Sequence, residues 1–318
     1  MDNETSVGDI LIVEGFKVTP QSSVPVFVLL LLAYIFIMVS NIGLVVVIFS
    51  SSRFHQPMYL LFCNMCLNDV FGATIKILQI LRDLFRSGSE RYIHYINCVV
   101  QAFCVNLYGS TSHTVLIIMA FDRYVAICDP LRYSTTMTHR MVVKLSLAAW
   151  GSTFVAVTIL LSLTIRLTRC RRVIMNLYCD NASLFKLSCE SVLINQIYGL
   201  GYTVVLLGSS FCSIALTYLK IAAVCLRSKN KALNSKALQT CATHLTVYLL
   251  LLGSAFIITA LHRFPQLTEY RNVVSVVGEV TLPALSATIY GLQIKEIRQR
   301  VVALFQRKGK LCRVGPGQ

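Results

Sequence analysis

Three charged residues sit where the chain is otherwise apolar: Asp69, Lys76 and Glu279. An ionisable group inside such a run is costly, so it marks either a function or a paired partner. At the end of another apolar run stands Asp122-Arg123-Tyr124. A guanidinium is always charged. Arg123 must therefore pair with Asp122 or take a different partner, which makes a two-position switch. Thr259 and Arg263 are four residues apart and share one face if their segment is helical. A hydroxyl beside a guanidinium is suited to a carboxylate or another oxyanion; the alternative reading of Arg263 is a solvated or headgroup-bound arginine. The sequence has no nucleophile–base pair and no phosphate loop. Cys63 and Cys66 have the spacing of metal ligands, but they fall in an apolar run without a histidine cluster. Enzyme chemistry is the least supported class.

The elements that must position these residues follow from composition. Of 318 residues, 55% are hydrophobic and only 14% are charged, against about 25% charged in a soluble domain. Mean hydropathy is +0.67. A helix needs about 20 apolar residues to cross a bilayer. Seven candidate spans meet this: 24–50, 58–81, 98–128, 142–165, 192–226, 237–261 and 272–294. The expected fold is thus an all-α membrane protein, a seven-helix transmembrane bundle. The net charge of +15 does not indicate nucleic acid, because the basic residues flank the spans instead of forming a stripe. Met1 to Ser23 is polar and carries four acids, so no signal peptide is read and the first span serves as an uncleaved anchor.

Orientation is read from the loops. With the N-terminus outside, the inner segments hold 15 Lys and Arg against 2 acids, and the outer segments 11 against 9. That is the asymmetry of a cytoplasmic side. The chain then divides into an extracellular N-terminus (1–23), a transmembrane domain (24–294) and a cytoplasmic tail (295–318). Segment 295–307 reads as a short amphipathic helix on the inner membrane surface, with Ile297, Val301, Leu304 and Phe305 on one face. Two glycosylation sequons, at Asn3 and Asn181, fall outside. Four of the twelve cysteines also fall outside: Cys98, Cys170, Cys179 and Cys189. An even number in an oxidising compartment suggests two disulfides, and three pairings are open.

The motifs narrow the class. MAFDRYVAICDPLRYSTTMT (119–138) resembles the signature of vertebrate odorant receptors, which are rhodopsin-like, class A G-protein-coupled receptors. PMYLLFCNMCLNDV (57–70) and KALQTCATHLTV (236–247) are similar to that family's second- and sixth-helix motifs. IYGLQIKEIRQ (289–299) resembles the end of its seventh helix in a fish-like form. The resemblance implies a receptor that binds a small odorant from outside, in a cavity between the third, fifth, sixth and seventh helices. Inside, it implies activation of a heterotrimeric G protein of the stimulatory, olfactory type, with a rise in cyclic AMP.

Further expectations rest on this likeness. The pairing it implies is Cys98–Cys179 with Cys170–Cys189. The ligand set is Val105, Asn106, Gly109, Ser110, Thr259, Arg263 and Glu279, and the ligand a small anion or zwitterion, a carboxylate or an amino acid. The switch set is Asp122, Arg123, Tyr124, Tyr218, His244 and Tyr290. Asp69, with Asn41 and Ser112 as neighbours, is the position at which the family holds a sodium ion or water. Lys76, seven residues after Asp69, faces the bundle interior and is expected to pair with Glu279; the sharper alternative has Glu279 holding a ligand ammonium. The sequence also departs from the family. Ser286 and Ala287 replace an Asn-Pro pair before Tyr290, and Leu251-Leu252 stand where two aromatics are usual. A receptor-like binder with weak or no signalling is therefore the runner-up. A transporter comes third, lacking an inverted repeat.

Overall fold

The computed structural model describes residues 9–16, 19–50, 56–86, 90–227, 231–293 and 299. In chain order its helices are α1 (Pro20–Phe49), α2 (Pro57–Asp83), α3 (Tyr95–Cys128), the one-turn α4 (Tyr133–Thr136), α5 (His139–Ile165), the short α6 (Asn181–Phe185), α7 (Leu193–Arg227), α8 (Lys231–Leu261) and α9 (Thr268–Gln293). Seven of these (α1, α2, α3, α5, α7, α8 and α9) are long and apolar enough to cross a membrane. Only helices satisfy every backbone group internally, which is why apolar runs of this length take that form in a bilayer.

The helix ends follow local chemistry. Thr19 caps α1, its hydroxyl accepting from the Ser22 N–H at 3.3 Å while the Ser22 hydroxyl accepts from the Thr19 N–H at 3.1 Å. Pro57 opens α2, at the position where its missing N–H costs nothing. Thr138 caps α5 by accepting from the Met141 N–H. The seventh span begins earlier than the apolar run does, at Thr268, because a 3-10 turn at Pro265–Leu267 leads straight into it. The amphipathic segment 295–307 lies outside the described residues, apart from residue 299.

A small sheet lies at the end of the bundle that carries the disulfides. β1 (Ile10–Val13) pairs antiparallel with β2 (Tyr92–His94) and parallel with β3 (Val173–Ile174). Leu11 and Val13 are fully buried while Ile12 faces outward, the period-two alternation of a half-buried strand. The segment assigned from sequence to a polar N-terminus therefore contributes to the core. At this end Leu11 and Val13 pack with Cys98, Leu161, Ile174 and Leu187.

α3 is the axis. It packs against α2, α5, α7 and α8. Between helices in lipid, close packing and polar contacts replace the hydrophobic drive. Asn68 of α2 donates to the Tyr108 carbonyl at 3.2 Å and to the Ser112 hydroxyl at 2.8 Å. Trp150 of α5 donates to Asn64 of α2 at 2.9 Å. Gly72 lets α2 and α3 approach: a Cβ there would collide with the Tyr108 ring. We expect Gly72→Ala to cost about 1–3 kcal/mol by overpacking. A lowered melting temperature of the detergent-solubilised protein measures it; an unchanged one means Tyr108 has room to move.

Candidate functional site

A cavity of about 470 Å³ opens at the disulfide end between α3, α5, α6, α7 and α8. Two disulfides shape its entrance. Cys98–Cys179 ties the segment between α5 and α7 to the start of α3, and Cys170–Cys189 closes a loop within that segment. Gln101 reinforces the first tie by accepting the Cys179 N–H at 2.9 Å. Asp180, the next residue, caps α6. One of its oxygens accepts from the Ser183 N–H at 2.7 Å, from the Ser183 hydroxyl and from Asn176 at 3.2 Å. The other faces His262 Nε2, just past the end of α8, at 3.2 Å. Loss of solvent alone would raise the Asp180 carboxyl. His262 and the Ser183 donors outweigh it and hold the carboxyl well below the usual carboxylate range. Arg271, buried in the first turn of α9, donates to the Met175 carbonyl and to Asn176. The segment is thus held by α3, α8 and α9 together.

Of the residues expected to bind ligand, Asn106, Thr259 and Arg263 line this cavity. The others do not. Val105 packs toward Leu177 and Tyr178. Gly109 is half-buried in α3, with open space at its Cβ position. Ser110 donates its hydroxyl to the Asn106 carbonyl and accepts from the Tyr202 hydroxyl, so it reaches the cavity only through Tyr202. Glu279 is paired with Lys76 instead. The lining also includes Asp180, Lys186, Asn195, Tyr202 and His262, which were not assigned to the ligand set. Their signal in the sequence was weak. Asp180 follows Cys179 directly, so the tie of that cysteine to α3 is the signal that could have placed it here.

The Asn181 sequon needs correcting. Its side chain is buried and accepts from the Thr164 hydroxyl at 2.7 Å, so it is not presented to carry a glycan. Asn3 lies outside the described residues.

The intramembrane charges form one group. Lys76 and Glu279 make a buried ion pair between α2 and α9. The Lys76 ammonium also lies 4.1 Å from the centre of the Tyr108 ring. Asp69, one face-repeat away on α2, accepts from Ser286 of α9 at 2.6 Å. Asn41 donates to the Pro283 carbonyl at 3.4 Å, and the Ser286 hydroxyl oxygen lies 3.1 Å from the same carbonyl. Ser112 is not on this carboxylate. Its hydroxyl accepts from Asn68 and donates to the Tyr108 carbonyl. The oxygens of Asp69, Asn41 and Ser286 still suit a hard cation, and among the described residues the Asn41 and Asn68 carbonyl oxygens are buried without a hydrogen-bond donor.

At the opposite end, Arg123 is ion-paired with Asp122, with Nε at 2.9 Å. The Tyr133 hydroxyl donates to the second Asp122 oxygen at 2.9 Å. Burial first, and then the Asp122 charge, raise this phenol and keep it a donor. The Tyr218 hydroxyl meets His244 Nδ1 at 2.5 Å across α7 and α8. Tyr124 is half-buried and packs beside Tyr218. The Tyr290 backbone continues α9; its side chain lies outside the described residues.

A seven-helix membrane bundle with a cavity at one end and an Asp-Arg-Tyr ion pair at the other has the plan of a rhodopsin-like receptor. The chain belongs to the olfactory receptor family, whose sequence profile matches residues 30–308. It is 31% identical to olfactory receptor 2F1 of Homo sapiens, over 93% of both chains. Identity to olfactory receptor 4E1 of Homo sapiens is 32%, over 96% of both. It is 31% identical to the olfactory receptor-like protein OLF3 of Canis lupus familiaris, over 93% of both.

The Lys76–Glu279 pair yields a quantitative expectation. Lys76→Met alone leaves a buried carboxylate uncompensated and should cost about 3–5 kcal/mol, while Lys76→Met with Glu279→Leu should recover most of it. Thermal melts of the two single variants and the double form the cycle. Additive losses would mean that the two side chains do not sense each other.

Proposed function

We propose that this chain is an odorant receptor of the cell membrane. Its N-terminus lies outside and its C-terminus in the cytoplasm. A small ligand enters the cavity at the disulfide end, and a stimulatory, olfactory-type G protein docks at the Arg123 end and raises cyclic AMP. The observation that carries this reading is the Asp122–Arg123 pair, locked by Tyr133 at the end of the bundle opposite the cavity. A charged group with a held partner has a second position open to it when that partner is given up.

The ligand chemistry follows from charge. Lys186 and Arg263 line the cavity; among the described residues neither forms a close ion pair, and the one acid whose charge reaches Lys186, Asp180, is engaged by His262. A small carboxylate neutralises them and gains charge-assisted hydrogen bonds. Inside the membrane, Asp69, Asn41 and Ser286 are the residues that would hold a sodium ion, which would supply positive charge beside α9.

A weakly signalling receptor is the second reading, favoured by one observation. Ser286 stands where the family carries Asn and has bound Asp69 directly, while Ala287 lacks the kinking effect of proline.

The test is cyclic-AMP accumulation in cells expressing the chain with an olfactory-type G protein, with surface expression measured in parallel. Small carboxylic acids are the first panel. We expect Arg123→Ala to abolish the response and Arg263→Ala to weaken it about tenfold or more. Ser286→Asn with Ala287→Pro should raise the maximal response. Full response from Arg123→Ala at normal surface density would overturn the signalling reading.

A further inference from the structure

The cavity has a second recognition element, and it follows from counting hydrogens. Thr164 of α5, Asn181 of α6 and Asn195 of α7 form a buried chain. The Thr164 hydroxyl has one proton, which goes to the Asn181 carbonyl oxygen at 2.7 Å in preference to the Leu160 carbonyl at 3.4 Å. Asn195 must then approach Thr164 with its NH₂, as it does at 3.0 Å. That fixes the orientation of the Asn195 amide. Its carbonyl oxygen is left over, buried and without a donor among the described residues, in a residue that is 1% exposed and lines the cavity. Buried acceptors of this kind are normally satisfied. An unsatisfied one in a ligand cavity calls for a donor from the ligand.

The character of that donor follows from Asp180. Among the described residues it is the one acid lining the cavity, and both its oxygens are already engaged by Ser183, Asn176 and His262. An ammonium entering the cavity finds no free carboxylate and loses its hydration uncompensated. A neutral hydroxyl loses far less and fits a neutral amide carbonyl.

We propose that the cavity selects small hydroxy carboxylic acids over both plain acids and amino acids, with the carboxylate held by Lys186 and Arg263 and the hydroxyl donated to the Asn195 carbonyl. This rests on the reading of the cavity as the ligand site. Asn195 is then a specificity-determining residue: it adds nothing to a ligand that lacks the hydroxyl.

The experiment is direct binding to the purified full chain in lipid nanodiscs, read by ligand-induced thermal stabilisation without any G protein. The probes are hexanoate, its α- and ω-hydroxy derivatives, and the matching α- and ω-amino acids. At least one hydroxy acid should bind about three- to tenfold tighter than hexanoate, the worth of one net hydrogen bond. The amino acids should bind more weakly than the hydroxy acids. Asn195→Leu should erase the hydroxyl gain, so that the hydroxy acids bind no tighter than hexanoate to that variant. Asn195→Asp should move the preference to an amino acid, since it supplies the missing carboxylate. The comparison on the unmodified chain stands even if a variant misfolds. The proposal is overturned if no hydroxyl position improves on hexanoate, if amino acids bind tighter, or if no acid binds at all. Selective binding without cyclic AMP would instead defeat the signalling reading and leave this one standing.

Discussion

A polar side chain in hydrocarbon has no water to fall back on, and this constraint orders the interior of the bundle. Each buried polar group must be answered by another helix. Asn68 answers Tyr108 and Ser112, Ser286 answers Asp69, and Lys76 answers Glu279. The ion pair is the most demanding of these, because either charge alone would cost several kcal/mol. It therefore fixes the register of α2 against α9. Once that register is set, Asp69 falls opposite Ser286 about two turns away, seven residues along each helix. Pro283, between Glu279 and Ser286, supplies a carbonyl that accepts from Asn41 and lies beside the Ser286 hydroxyl. The three helices α1, α2 and α9 are thus joined by polar contacts at a single depth.

The same constraint relaxes at the disulfide end, where solvent returns. There, covalent bonds and charge hold the connecting segment. Cys98–Cys179 places Asp180 within reach of His262, and Arg271 grips the segment from α9. The segment is fixed on three sides, so the cavity has a defined wall instead of a loose flap. The sheet built on β1 completes the cap by burying Leu11 and Val13 against it.

What could be read from the sequence tracks how local each signal is. The spans were legible because run length and composition alone decide them. Lys76 facing inward followed from its seven-residue spacing to Asp69. The strand at Ile10–Val13 was not legible: four residues in a polar stretch carry no period long enough to see, and their partners lie some 80 and 160 positions away. The cavity lining was half legible. Asn106 and Thr259 project inward by helical phase and Arg263 stands in the turn just past α8, whereas Lys186 owes its place to the disulfide-bonded segment. Ser112 was misplaced because phase gives the face of a helix but not which neighbour on that face claims the hydroxyl; Asn68 claims it, at 2.8 Å. The Asn181 sequon is exposed by rule and buried by packing, since Thr164 needs its carbonyl.

α8 links the two ends physically. It runs from the Tyr218 contact at His244 to the Asp180 contact at His262, a distance of 18 residues, or about 27 Å at 1.5 Å per residue. Thr259 and Arg263, which line the cavity, sit on its last turn or just beyond. A ligand held there bears on the same helix that carries His244. Both end contacts are discrete hydrogen bonds between a histidine and a group on a neighbouring element. Such contacts are either made or broken, so a displacement of α8 exchanges them as units. His244 also lines a small cavity with Asp122 and Arg123, which places the Tyr218 contact directly beside the ion pair. α8 thus carries a histidine contact near each end, and the Asp122–Arg123 pair lies beside the one at His244.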